Sequence, residues 1–390
     1  MKFDHSLLAS AWLAVALCAP AMAADKIKIG FLSTVSGGPT VGLAKEKRAG
    51  FDLALKQLGG KLGGLPVEVV NGDDQNNPDV AKQAFDRLAK RDKVDVVTGI
   101  INTAVIHAIA PLAAQHQIFF MNSNVGQRDF IADKCGPYYF NTGWHIESLN
   151  EAMGKYLVSQ GKKRVFVAGG AWPAGREHID AFKRAYAEPV AGEVYFKMQT
   201  LDFSAELAQI RAANPDAVYV FAFGPLSVNF MKQYQQAGLG NIPLYGPSPL
   251  ADEDTIPAAG QAAVGVISSG HWNFDLTHDV NKKFVAAYQD EYKRSPSLYS
   301  EQGYTTALVL DAAIKAVSGR IEDKAAFRKA IENVSLEAPR GPFKFNVDHS
   351  PVQNVYLRKV GKTDKGEPIN HFQRMIAANH AVRGADQCKL

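Results

Sequence analysis

Short apolar runs alternate along this chain with longer stretches in which apolar residues recur every three or four positions. Ile27-Lys28-Ile29-Gly30-Phe31-Leu32 predicts a buried strand, and 41–58 predicts a helix with Ala49, Leu53, Ala54 and Leu58 on one face. Strands at 66–70, 94–100 and 118–122 follow, separated by helices at 78–90 and 103–115. Asn77-Pro78 marks the start of the first of these, an Asn cap with Pro at the first helical position. The pattern restarts after Phe140-Asn141-Thr142: helix 145–159, strand 164–168, helix 175–186, strand 193–198, helix 204–213, strand 217–221, helix 227–237, strand 243–245. Residues 278–335 are mostly helical, and 341–347 and 354–360 are strand-like. Repeated βα units imply an α/β fold with parallel sheets and helices on both faces, built here as two tandem units without a Ser- or Pro-rich linker.

One apolar stretch stands outside this pattern. Residues 7–17 form an apolar run too short to span a bilayer, and Ala21-Met22-Ala23 gives a small-x-small cleavage signature. Residues 1–23 are therefore expected to be a signal peptide, with a buried N-terminal helix as the alternative and a loose lipoprotein box ending in Cys18 as a second one. Export implies the periplasm, away from pools of ATP and NAD(P)H. Cleavage would leave 367 of 390 residues and, with Lys2 and Asp4 gone, 42 basic against 38 acidic groups. That mild balance argues against a nucleic-acid partner, and the length suggests two domains. Cys135 and Cys388 remain. In an oxidising compartment they form one disulfide or stand as two separate thiols; a disulfide is the expectation.

Ligands of open α/β sheets bind beyond the carboxyl ends of the strands. The loops there, 33–40, 101–104, 122–126, 169–175, 222–225 and 246–250, carry Ser, Thr, Asn, Gly and aromatics but no nucleophile–base pair. There is no GxSxG, no P-loop, no full GxGxxG after a strand and no metal-ligand spacing, so neither an enzyme nor a cofactor or metal is expected. Gly169-Gly170 after a strand is an incomplete dinucleotide signature. Asn102-Thr103, where a strand hands over to a helix, suits a carboxylate, because free amides at a helix N-terminus attract anions. Thr103 also reads as a plain N-cap, and both can hold together. Trp172, Phe223 and Trp272 follow strands; each is a core edge or, if the three converge, a wall of a stacking box for a flat ligand.

The chain resembles the type I periplasmic solute-binding proteins of ABC transporters, typified by leucine/isoleucine/valine-binding proteins. The resemblance is carried by Gly50-Phe51-Asp52-Leu53-Ala54-Leu55, Gly63-Gly64-Leu65-Pro66-Val67-Glu68, Asp73-Asp74 with Asn77-Pro78, Asp202-Phe203-Ser204, Asn214-Pro215-Asp216 and Gly341-Pro342-Phe343-Lys344-Phe345, in that order. It implies two Rossmann-like lobes joined by a three-crossover hinge, 24–142 with 268–345 and 143–267 with 346–390. It also implies a monomer that meets ABC permease subunits. In amino-acid binders of the family, lobe-one hydroxyls and amides hold the ligand carboxylate and a lobe-two acid after Gly-Pro meets the ammonium. Here Thr103 fits the first role, Gly126 stands where a Thr is usual, and Gly246-Pro247 is followed by the uncharged Ser248. A buried ammonium without a counter-charge costs several kcal/mol. The expected ligand is thus a small carboxylate of the benzoate type. A branched-chain amino acid or amide, a ligand-sensing module and an exported enzyme are the alternatives. The expected contacts are Leu43, Asn102, Thr103, Asn124, Val125, Trp172, Phe223, Ser248 and Trp272.

Overall fold

The computed structural model describes residues 25–390, so the leader and Cys18 lie outside the described residues. The first sheet has six strands. Ile27–Ser33 is flanked by Leu65–Asp73 and Val96–Thr98, then come Phe119–Asn122 and Tyr139–Asn141, all parallel; the short Lys61–Leu62 forms the opposite, antiparallel edge. Helices α1 (Val41–Gln57), α2 (Pro78–Asp86) and α3 (Thr103–Gln115) connect these strands. Ile27, Ile29 and Phe31 pack on the α1 side, while Leu32, Val97 and Phe120 pack on the α2 and α3 side. Cover on both faces is why these strands read as nearly continuous apolar runs.

The second sheet runs from Gly192–Phe196 through Val165–Gly170, Ala217–Val220 and Leu244–Pro247 to Ile267–Gly270, all parallel. It continues antiparallel into Pro351–Lys362, which also pairs with Gly341–Phe345 and Pro368–His380. Helices α4 (Ile146–Ser159) and α5 (Pro173–Tyr186) cover one face; α6 (Ser204–Ala213), α7 (Gly224–Gln236) and α8 (Ile256–Ala259) cover the other. The chain then returns to the first lobe as α9 (Asp279–Tyr292), α10 (Leu298–Ala316) and α11 (Lys324–Glu332). Ile267–Gly270 lies whole in the second sheet, so a division at 267/268 would cut a strand. Gly341–Phe345 shares that sheet while Phe343 and Phe345 pack into the first lobe's core.

Most elements fall where the pattern places them. Asn77 caps α2 through Asp79 N at 2.8 Å, with Pro78 following. The helix expected to reach residue 90 ends at Asp86 and continues as a π-helical turn, Arg87–Asp92. Only Val96–Thr98 of 94–100 pairs as a strand. Pro368–His380 has no counterpart in the sequence reading; it is a half-exposed outer strand with bulged register and weak alternation.

Helices α1 and α10 touch backbone to backbone. A Cβ on Gly50 would stand 1.8 Å from the Ser300 carbonyl oxygen, and one on Gly303 would stand 2.0 Å from that of Lys47. Neither neighbour is a movable side-chain end. Gly303→Ala is therefore expected to destabilise the protein by about 1–3 kcal/mol in urea unfolding, because the helices must separate. A change below about 0.5 kcal/mol, the usual surface-mutation range, would show the contact to be loose.

Two devices fasten the lobes together. Arg340 is fully buried and donates to both Glu301 oxygens, to the carbonyls of Thr142 (3.0 Å) and Gly143, and to Gln353 Oε1 (3.0 Å). It thus joins the first crossover, α10 and strand Pro351–Lys362. Cys135 and Cys388 form the expected disulfide, with Cα atoms 5.6 Å apart and a sequence separation of 253.

Candidate functional site

A cavity of about 410 Å³ opens between the lobes, at the carboxyl ends of strands from both sheets. On the first-lobe side, the loop after Val96–Thr98 brings in Ile101, Asn102 and Thr103, and the loop after Phe119–Asn122 brings in Asn124 and Val125. Asn102, not Thr103, is the N-cap of α3: its Oδ1 accepts from Ala104 N at 2.8 Å, and its amide nitrogen donates to Asn76 Oδ1 at 2.8 Å. Thr103 is the first helical residue and is half-buried at the cavity wall. Asn124 Nδ2 donates to the Ile101 carbonyl at 2.6 Å, fixing the lead-in to α3. The amino end of α3 is thereby held rigid and turned toward the cavity.

The second-lobe side is aromatic. Trp172 ends the loop after Val165–Gly170 and lies over Gly170, where a Cβ would sit 2.1 Å from the indole ring. Gly175 packs against the Gly170 carbonyl, where a Cβ would be 2.3 Å away. The Gly169-Gly170 pair is explained by this packing. Phe223 meets Trp172 edge-on at 6.1 Å, and Phe221 lies 6.3 Å from it. Trp144 enters from the first crossover on a two-residue strand paired with Val125. Tyr299, from the first-lobe core, closes the far side.

The structure brings Leu43, Asn102, Thr103, Asn124, Val125, Trp172 and Phe223 around this one cavity. It places Trp272 and Ser248 elsewhere. Trp272 is 1 % exposed in the first lobe's core, donating its indole N–H to Asn281 Oδ1 at 2.7 Å. Ser248 is buried behind Pro249; its carbonyl accepts from Arg358 at 3.1 Å and its hydroxyl has no partner. Gly126 has no room for a side chain: a Cβ would stand 1.9 Å from Asn141 Nδ2, which is committed to the Trp144 carbonyl.

Trp144, Phe221, His178 and Tyr299 line the cavity without having been singled out in the sequence. Ala174 and His178, four apart on α5, share the face that Trp172 begins. That spacing was legible; its direction was not. Among the described residues, the lining contains no Asp, Glu, Lys or Arg. Glu46, Glu253 and Asp254 border a larger adjoining crevice of about 750 Å³. Burial, reinforced by the charge of Asp252, raises the Glu253 and Asp254 carboxyls above their usual range.

A family model described as periplasmic binding protein matches residues 26–367. Leu/Ile/Val-binding protein homolog 6 of Brucella melitensis is 28% identical over 365 residues, covering 91% of this chain and 92% of the relative. Among solved structures, an ABC-transporter solute binding protein of R. palustris in complex with benzoate is 30% identical with a TM-score of 0.86, covering 94% of this chain and 100% of that one. Another, from Rhodopseudomonas palustris BisB5 in complex with 3,4-dihydroxybenzoic acid, is 28% identical with a TM-score of 0.85, covering 92% and 99%.

Proposed function

The chain belongs to the periplasmic binding protein family, and on that premise we propose that it is the periplasmic solute-binding component of an ABC importer for a small aromatic carboxylate of benzoate type. The observation that carries this reading is the cavity lining, which offers aromatic rings from both lobes and, among the described residues, no Asp, Glu, Lys or Arg. An α-amino acid would bury its ammonium there without a counter-charge, at a cost of several kcal/mol. A carboxylate alone meets the amino end of α3 and the Thr103 hydroxyl, and a flat ring meets Trp172, Phe221 and Phe223. The similar benzoate and 3,4-dihydroxybenzoate complexes support the same ligand class. Contacts from both lobes stabilise the closed state, and the closed monomer is what the permease subunits would meet.

Calorimetry with benzoate, 4-hydroxybenzoate, leucine and valine tests the reading. Binding of an aromatic acid and none of leucine is expected. Trp172→Ala should weaken aromatic-acid binding by about 1–3 kcal/mol through lost burial and stacking. Thr103→Ala should weaken it by about 1.5–3 kcal/mol through a lost bond to a charged group. Tight leucine or valine binding with no response to any benzoate would overturn the assignment in favour of the branched-chain amino acids named for the Brucella relatives.

A further inference from the structure

Among the described residues, His178 is the one histidine on the cavity wall. It is 1 % exposed and clamped in place. Its ring stacks on Phe221 at 3.5 Å, 13° from parallel, and lies 5.6 Å from the Trp144 ring. Its Nδ1 faces Asn150, itself fully buried. The Asn150 amide has one orientation that satisfies its neighbours. Its nitrogen must donate to the Ile146 carbonyl, which can only accept, and its oxygen accepts from the Tyr219 hydroxyl. The second Asn150 N–H then meets His178 Nδ1 at 2.8 Å, closer than Asn150 Oδ1 at 3.2 Å, which already accepts from the Tyr219 hydroxyl. Nδ1 is therefore an acceptor and the ring proton sits on Nε2. Burial, with a smaller contribution from His145, holds the imidazole well below the usual histidine range, so the ring is neutral. Nε2 has no hydrogen-bond partner among the described residues.

We propose that His178 determines specificity at the ring end of the ligand, with its Nε2–H donating to an oxygen substituent. The preferred aromatic acids then carry a hydroxyl, alkoxyl or carbonyl oxygen on the ring. This rests on the aromatic-acid reading and deepens it. A donor fixed by a buried Asn–Tyr network cannot turn away, so a ligand offering a methyl group there leaves the N–H unpaired in an apolar box. Sites built to hydrogen-bond a substituent reject the analogue lacking it far better than apolar pockets sort by size.

The test is calorimetry with 3- and 4-hydroxybenzoate and their methyl isosteres, 3- and 4-methylbenzoate, on the wild type, H178F and H178Q. At least one hydroxybenzoate should bind the wild type about tenfold tighter than its methyl counterpart. That ratio should fall to about one in H178F, which keeps the stacking, and should recover in part in H178Q, which restores an N–H. If H178F does not fold, nitrogen-15 NMR of the wild type decides: the His178 Nε2 resonance should be protonated in the free protein and move with hydroxybenzoate more than with methylbenzoate. Equal wild-type affinities for the hydroxyl and methyl ligands overturn the proposal, as does a ratio unchanged by H178F. A protein that binds no benzoate of any kind but binds leucine fails the aromatic-acid reading itself, a separate outcome.

Discussion

Replacing Arg340 by Met is expected to cost about 3–5 kcal/mol of folding stability near neutral pH, the usual penalty for breaking a buried ion pair from one side. Arg340 and Glu301 are both fully buried, so the lost partner is not replaced by water. The crossover carbonyls of Thr142 and Gly143 lose their donor at the same time. The penalty should depend on pH. In the parent, burial would raise the Glu301 carboxyl, but the charge and hydrogen bonds of Arg340 together with those of His271 outweigh it and hold the group down to about 2. A depressed carboxyl contributes stability that is present above its unfolded value, about 4.3, and is lost as pH falls toward the folded value. Without Arg340, burial is opposed only by His271, and the Glu301–His271 pair takes up a proton more readily in the folded state. His271, 3.4 Å from Glu301 and held at about 4 by burial and then by the Arg340 charge, also becomes easier to protonate. The variant's deficit should therefore be larger near pH 7 than near pH 5 in urea unfolding. Adding Glu301→Gln should recover part of it, since the stranded charge is gone. A deficit below about 1 kcal/mol at both pH values would mean that the cluster does not clamp the crossovers.

Removing the disulfide is the second change with a large expected effect. Cys135 follows the turn Ala132–Lys134 of the first lobe, and Cys388 follows the turn Ala385–Gln387, beyond the second-lobe strand Pro368–His380. Apart from the bridge, the junction is held by a small cluster of Ile131, Val382 and Ala385. Three apolar side chains offset little of the entropy of ordering the tail. With the cysteines separated by 253 positions in the sequence, the chain-entropy model gives about 5 kcal/mol, while native bridges typically contribute about 2–5 kcal/mol. The Cys135→Ser, Cys388→Ser double variant should lose stability in that range, and residues 381–390 should exchange amide hydrogens much faster. Unfolding midpoints that do not move on reduction would show that the tail is held without the bridge.

What the sequence determined by itself is local. The period of apolar positions distinguishes strands from helices, and the rule that ligands sit past the carboxyl ends of strands selects loops that line the cavity. Residues 103–115, read from periodicity, are helix α3 in the structure, and Asn102, Thr103, Asn124, Trp172 and Phe223 all reach the cavity. The even cysteine pair follows from compartment chemistry. What only the tertiary structure decided is which way sequence-distant side chains turn once two lobes meet. Trp144 and Trp272 both sit beside crossovers and are both nearly buried, at 3 % and 1 % exposed. Trp272 turns into the first lobe because Asn281, nine residues on, accepts its N–H there. Trp144 is drawn to the cavity because its two-residue strand pairs with Val125 across the lobe junction. His178 is hidden in the sequence for the same reason: its role is set by Asn150 and Tyr219, 28 residues before it and 41 after, and no local period encodes their meeting.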